Sequence, residues 1–181
     1  MEPIHKQRLA EYVQGDEWIV KFLQNTKIGH IATHWDEQPF ITPSTFFFNE
    51  EEMEIIFHSN IKGRVRSNIE RHPEVCFEAS EYGRFLPSNI ALEFSIQYES
   101  VICYGRVRVI EDISEKKKGL TNLIKKYFPD MESGDDYRPI TNEELAQTSV
   151  YAISIDSWSG KRNWEEEAEQ SPDWKPIKQT E

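Results

Sequence analysis

Two hydrophobic periods run along this chain, and the change from one to the other comes early. From Asp16 to Leu23, Trp18, Ile19, Phe22 and Leu23 share one helical face, with Asp16 placed to cap it. Residues 3 to 13 fit a preceding turn of helix. Strand-like patterning then takes over. Ile28 to His34 reads as a first strand and Phe40 to Phe48 as a second, with Asp36-Glu37-Gln38 as the turn between them. Glu54 to Ser59 is a third strand, after a polar hairpin at Asn49 to Met53. A short basic helix is expected from about Lys62 to Arg71, ended by His72-Pro73.

Val75 to Ala79 reads as a fourth strand. Glu81 to Asn89 holds Gly83 and Pro87 and reads as a loop. Phe94 to Ile110 is a long fifth strand. Ser114 to Tyr127 is a second amphipathic helix, since Leu120, Leu123, Ile124 and Tyr127 fall at i, i+3, i+4 and i+7, with Ser114 as cap and Pro129 as stop. Thr141 and Glu144 form a capping-box pattern for a short helix over Thr141 to Ala146. Val150 to Trp158 is the last strand. Six strands with few helices and hairpin-length connections early on predict a mainly β fold with flanking helices, an antiparallel six-stranded barrel. The expected organisation is one domain over residues 1–163 and an acidic, Gln-rich tail over 164–181, loose or wrapped on a partner.

Composition narrows the function classes. The chain has 181 residues and a formal net charge of −11, which disfavours nucleic acid as a partner. Cys76 and Cys103 form no CxxC pair, and they read as buried, reduced thiols of a cytoplasmic protein. No run approaches the ~18 apolar residues of a membrane span, and no apolar h-region follows Met1.

Against this acidity the stretch Phe57-His58-Ser59-Asn60-Ile61-Lys62-Gly63-Arg64-Val65-Arg66 stands out. A strand end turns directly into a cationic helix start, where unpaired N–H groups and the positive dipole end favour an anion. Ser59 or Asn60 is the expected N-cap, Gly63 admits close approach, and Arg64 can grip phosphate oxygens in bidentate fashion. A solvated basic helix fits the same spacing. In the second strand Pro43 cannot donate to a ladder, so the segment belongs at an edge, a bulge or a cavity rim, where Thr42, Ser44 and Phe46 share one face. His30 and His34 lie roughly 13 Å apart along a strand and cannot share an ion, so no metal site is expected.

These segments resemble, in order, the pyridoxamine-phosphate-oxidase-like, FMN-binding split-barrel superfamily, with the nitroimidazole-resistance (Nim-type) proteins as the nearest likeness. The resemblance spans about residues 16 to 163. It is carried by Lys27 to Thr33, Pro39 to Phe48, Ile56 to Arg64, Pro73 to Glu78, Tyr98 to Arg106 and Trp158-Ser159-Gly160-Lys161. It implies a split barrel that forms a homodimer with FMN at the subunit interface. Thr42, Pro43, Ser44 and Thr45 would line the flavin ring, and His58 and Ser59 would lie beside it. Arg64, with Lys62 and Gly63, would hold the phosphate. Ser100 would reach the flavin from the partner subunit, and Trp158 and Lys161 would contact the cofactor. Val65 stands where many relatives carry lysine, with Arg66 as a substitute. The substrate-phosphate motif of true pyridoxamine phosphate oxidases is not found near the C-terminus.

The leading expectation is a flavoprotein that passes electrons from a donor such as reduced nicotinamide to a small electron-poor acceptor, for example a nitroimidazole. His58 is the candidate proton donor, or equally a silent hydrogen-bonding residue. A flavin or haem carrier or sensor, with His30 or His58 as axial ligand, is the alternative. A barrel without ligand whose tail binds a partner is the third.

Overall fold

The computed structural model describes residues 9–177. Eight strands form one antiparallel sheet: β1 (Val13–Gln14), β2 (Ile28–Trp35), β3 (Gln38–Thr45), β4 (Phe47–Asn49), β5 (Glu54–Asn60), β6 (Glu74–Leu86), β7 (Ser95–Val109) and β8 (Thr148–Asn163). Four α-helices flank it: α1 (Asp16–Asn25), α2 (Arg64–Arg71), α3 (Ile113–Tyr127) and α4 (Asn142–Gln147). The strand order is β3-β2-β6-β7-β8-β5-β4, and β1 adds to β8.

That order explains the shape. β3 and β4 are opposite edges of the sheet, yet a single residue, Phe46, separates them in sequence. The sheet must therefore curl until its edges meet at Phe46. No ladder joins them among the described residues, so the barrel keeps an open seam. Phe46, Phe57, Phe77 and Tyr151 fill the interior, each at most 1% exposed, and α1 adds Ile19, Phe22 and Leu23 to the same core. A second cluster, Ile56, Ile110, Val150 and Ala152, lies with Leu120 and Phe47 where α3 packs on the outer face of β5 and β8.

Several expectations need correction. The sheet has eight strands rather than six, and the predicted second strand is broken at Phe46. There the Tyr127 hydroxyl accepts from Phe46 N–H at 2.9 Å, and its single proton faces Lys27 O at 2.6 Å and Phe46 O at 3.0 Å. Residues 81–86 are strand rather than loop. β7 offers a pairing partner along its length, and a bulge between Tyr82 and Phe85 absorbs Gly83. The last strand runs on to Asn163.

Capping also differs. Gly15, not Asp16, is the N-cap of α1, and Asp16 Oδ1 instead accepts from Trp158 Nε1 at 2.8 Å. Asp112, not Ser114, caps α3 by accepting from Glu115 N–H at 2.8 Å. The capping box at Thr141 and Glu144 is present. Of the predicted N-terminal turn, residues 3–8 lie outside the described residues, and Ala10–Tyr12 form a 3-10 turn. The tail is tied to the β6–β7 hairpin rather than loose: Gln97 donates to Glu165 O, Asn89 to Ser171 O, and Arg84 pairs with Glu166.

Candidate functional site

The strand-to-helix junction forms as the sequence predicts, with a different cap. Asn60 Oδ1 accepts from Lys62 N–H at 3.0 Å, which turns the chain after β5. Gly63 is the N-cap of α2 at φ 146° and ψ 175°, a backbone region open to glycine and strained for any other residue. Glycine has no side chain to cap the first turn, so the leading N–H groups of α2 meet no side-chain acceptor among the described residues. Ser59 does not cap the helix. Its hydroxyl donates to Asn60 O and shares a 2.9 Å hydrogen bond with the Tyr151 hydroxyl.

The cations of the junction are unevenly paired. Arg66 gives its Nε to Glu70 at 2.6 Å, one Nη to Ser149 and the other to Glu111, and the Glu70 hydrogen bond raises its pKa. It is thus held away from the lysine role expected of it. Arg71 is held by Asp36, whose carboxyl it pushes below the usual range. Arg64 is different. Arg66, Arg71, Arg84, Arg106, Arg108, Arg138 and Arg162 are all ion-paired. Arg64 is the one arginine among the described residues with no carboxylate. Its guanidinium lies 4.9 Å from the Phe40 ring centroid and 5.8 Å from that of Trp35. These rings hold the side chain by cation–π attraction and leave its N–H fork open.

Phe40 connects the junction to β3. Phe40, Thr42 and Ser44 alternate on one half-buried face of that edge strand, while Pro43 faces the other way opposite His30. Thr45 follows, its carbonyl accepting from the Ser44 hydroxyl at 2.9 Å. Behind them Asn68 of α2 donates to Thr33 of β2 at 2.9 Å, and its buried Oδ1 has no partner among the described residues. Arg64 at the start of α2 thus adjoins β3 through Phe40, on the same half-buried face as Thr42 and Ser44, while Lys62 and Gly63 lie on the turn between Ser59 of β5 and that helix. A cation without a carboxylate, uncapped helix N–H groups and an edge strand with free backbone groups fit a ligand with an anionic end and a flat polar body.

The other predicted residues lie elsewhere in the chain. His58 is on the opposite face of β5 from Ser59. Its ring borders a cavity under α3 with Leu120, Ile124 and Ile140, and burial pushes its pKa down although one side stays open to solvent. Trp158 turns toward α1, bonded to Asp16 and 6.1 Å from Phe48. Ser100 and Lys161 are register partners on β7 and β8, and the Lys161 ammonium sits 5.1 Å from the Tyr98 ring. A single chain does not bring them to Arg64. Trp35, Phe40 and Tyr151 were missed as site residues. Alternation along β3 marks Phe40 as a neighbour of Thr42, whereas nothing local marks Tyr151. His30 bonds Glu78 at 2.9 Å and His34 stacks on His72.

Comparison with known proteins adds a family model. The model described as pyridoxamine 5'-phosphate oxidase matches residues 16–162. No curated protein sequence matches. Among solved structures, the flavocytochrome Anf3 from Azotobacter vinelandii superposes with a TM-score of 0.83 at 23% identity, covering 99% of this chain and 86% of that one. A 5-nitroimidazole antibiotic resistance protein from Bacteroides thetaiotaomicron gives 0.68 at 20% identity, covering 90% and 96%. An FAD and haem binding protein from Mycobacterium smegmatis gives 0.74 at 22%, covering 85% and 75%. The fold is thus shared with these proteins.

Proposed function

This chain belongs to the pyridoxamine 5'-phosphate oxidase family, and we propose that it is a flavin-binding redox protein whose cofactor phosphate docks at the β5–α2 junction. The observation that carries this is Arg64, an arginine left unpaired in a chain of net charge −11, beside an uncapped helix start. When bound, flavin supplies the hydride and electron chemistry. The chain supplies the rest. Arg64 and the first-turn N–H groups of α2 bind the anionic end, with Lys62 as a neighbouring charge. Thr42 and Ser44 offer hydroxyls, and the β3 edge offers backbone groups, to the ring.

The finer reading is FMN as the flavin, reduced nicotinamide as donor and a small electron-poor acceptor such as a nitroimidazole. We place the cofactor between two copies of the chain. Ser100 and Lys161 share the outer sheet face with Ile41 and Tyr82, both 71% exposed, and that face suits a second copy carrying them toward a partner's Arg64. Two proteins of this fold are described as holding haem as well as flavin. This favours, as a second reading, a flavin and haem carrier in which His30, oriented through Nδ1 by Glu78, presents Nε2.

The test is absorbance of the purified protein followed by titration. Flavin gives bands in the blue and haem a Soret band. Arg64→Ala should weaken FMN by roughly 10- to 150-fold, the equivalent of about 1.5–3 kcal/mol for a charged hydrogen bond. Unchanged affinity for the flavin would remove the assigned phosphate site.

A further inference from the structure

The cavity under α3 takes no part in the reading above. It has a volume of about 440 Å³, within the range of small-molecule sites. Leu120 and Ile124 of α3 form one wall, Ile140 lies on the loop along another side, and the space is open to solvent. Its polar groups divide into two kinds. Arg138 donates to both carboxylate oxygens of Glu144, at 2.7 and 3.2 Å, and to Pro139 O. Glu144 also accepts from Thr141 N–H, and Arg138 with that contact pushes its carboxyl down to about 2. The Thr148 hydroxyl is used by Glu144 O. This part of the rim is closed on itself and carries no net charge.

The His58 ring and the Tyr137 hydroxyl are different. Both border the cavity, and neither is hydrogen-bonded to another described residue. One side of the imidazole is open to solvent and the burial of the rest lowers its pKa, which favours the neutral form with one donor and one acceptor. The cavity therefore offers an apolar wall and two neutral polar groups. A charged ligand would lose water there without gaining a counter-ion.

We propose that this cavity binds a small, neutral, largely apolar molecule with one hydrogen-bonding head, of the phenol type, with the head directed at His58 and Tyr137. The inference does not rest on flavin binding. The β5 backbone separates the cavity from the face that carries Ser59.

The experiment uses the full chain as purified, labelled at Ile and Leu methyls and His ring carbons for NMR. p-Cresol is titrated against benzoate and benzylammonium, which match it in size and differ in charge. Saturable p-cresol shifts at the Ile124 and Ile140 methyls and the His58 ring are expected, with both ions about tenfold weaker or more. Ile140→Trp fills the cavity and should abolish the shifts. His58→Phe keeps the wall, removes the polar partner and should weaken p-cresol while leaving Ile124 in contact. The proposal is overturned by no saturable p-cresol shift, or by equal binding of the three probes. It is also overturned by undiminished binding to Ile140→Trp or, should that variant not fold, by unchanged affinity in His58→Phe. Concentration-dependent shifts of the same methyls without probe would assign the cavity to a second copy of the chain, with the same consequence.

Discussion

Tyr127→Phe isolates one hydroxyl at the barrel seam. The oxygen accepts from Phe46 N–H and its proton faces two carbonyls, while the ring stays in place in the variant. Phe46 is 0% exposed, and its N–H loses its protein partner once the hydroxyl is gone. A buried donor left unmet costs about 1–3 kcal/mol. Unfolding entropy near 2.1 cal/mol/K per residue gives roughly 0.4 kcal/mol/K for a chain of this size, so the melting temperature should fall by about 3–8 °C. Leu92→Ala is the control. That residue is 88% exposed and its change should cost under about 0.5 kcal/mol. The assay is thermal unfolding by circular dichroism, with urea unfolding to check that the slope m is unchanged. A drop under about 1 °C, or one matched by the control, would show that the seam does not depend on this hydroxyl.

Lys126 donates to Leu23 O at 3.0 Å and lies 3.6 Å from the Phe46 ring centroid, contacts that favour the ammonium. Burial, with the Lys27 charge, outweighs them and pushes its pKa down from 10.5 to about 7. Between those values the unfolded chain holds a proton that the native chain lacks, so this group makes stability rise with pH across the window and adds no slope below it. Urea unfolding at several pH values should show that slope lost in Lys126→Met, and parallel profiles for the two proteins would refute the assignment. At Gly105, opposite a bulge at Asp156 in β8, an added Cβ would sit 2.1 Å from the Ser154 carbonyl oxygen of that strand. Gly105→Ala should destabilise by about 3 kcal/mol or more, because backbone must move, and a melt near wild type would show the bulge to be plastic.

The elements legible in the sequence are those fixed by neighbours within a few residues. The helical period through Leu120, Leu123, Ile124 and Tyr127 and the capping box at Thr141 and Glu144 are of this kind. Where two good capping residues lie close together, local chemistry does not choose, and Asp112 takes the place assigned to Ser114. Distant partners decide the rest. Phe40 to Phe48 reads as one strand because the residue that breaks it, Tyr127, lies 81 positions away. Gly83 and Pro87 read as a loop because local breakers carry no information about β7. The candidate site divides the same way. The cationic junction is visible locally, and Glu70, four residues beyond Arg66, already offers that arginine an ion-pair partner one helical turn on. That Arg64 is free depends on the folded positions of every acidic residue around it. Alternation along β5 would have separated His58 from Ser59, whereas the resemblance placed them together.

The seam gives the site its location on physical grounds. A closed barrel satisfies every strand edge, and a ligand then finds no free backbone within its wall. Here β3 and β4 remain edges because one residue links them, too short a connection for a return ladder. Tyr127 meets the demand at Phe46 and nowhere else along the gap. The edge of β3 at Thr42 and Ser44 is left to other partners, with Arg64 held beside it by Phe40. An open seam is a cost to stability unless something binds there. The one unpaired described arginine, the uncapped helix start and the unpaired strand edge fall together at this gap, and their joint placement favours a ligand that is anionic at one end and hydrogen-bonding along its body.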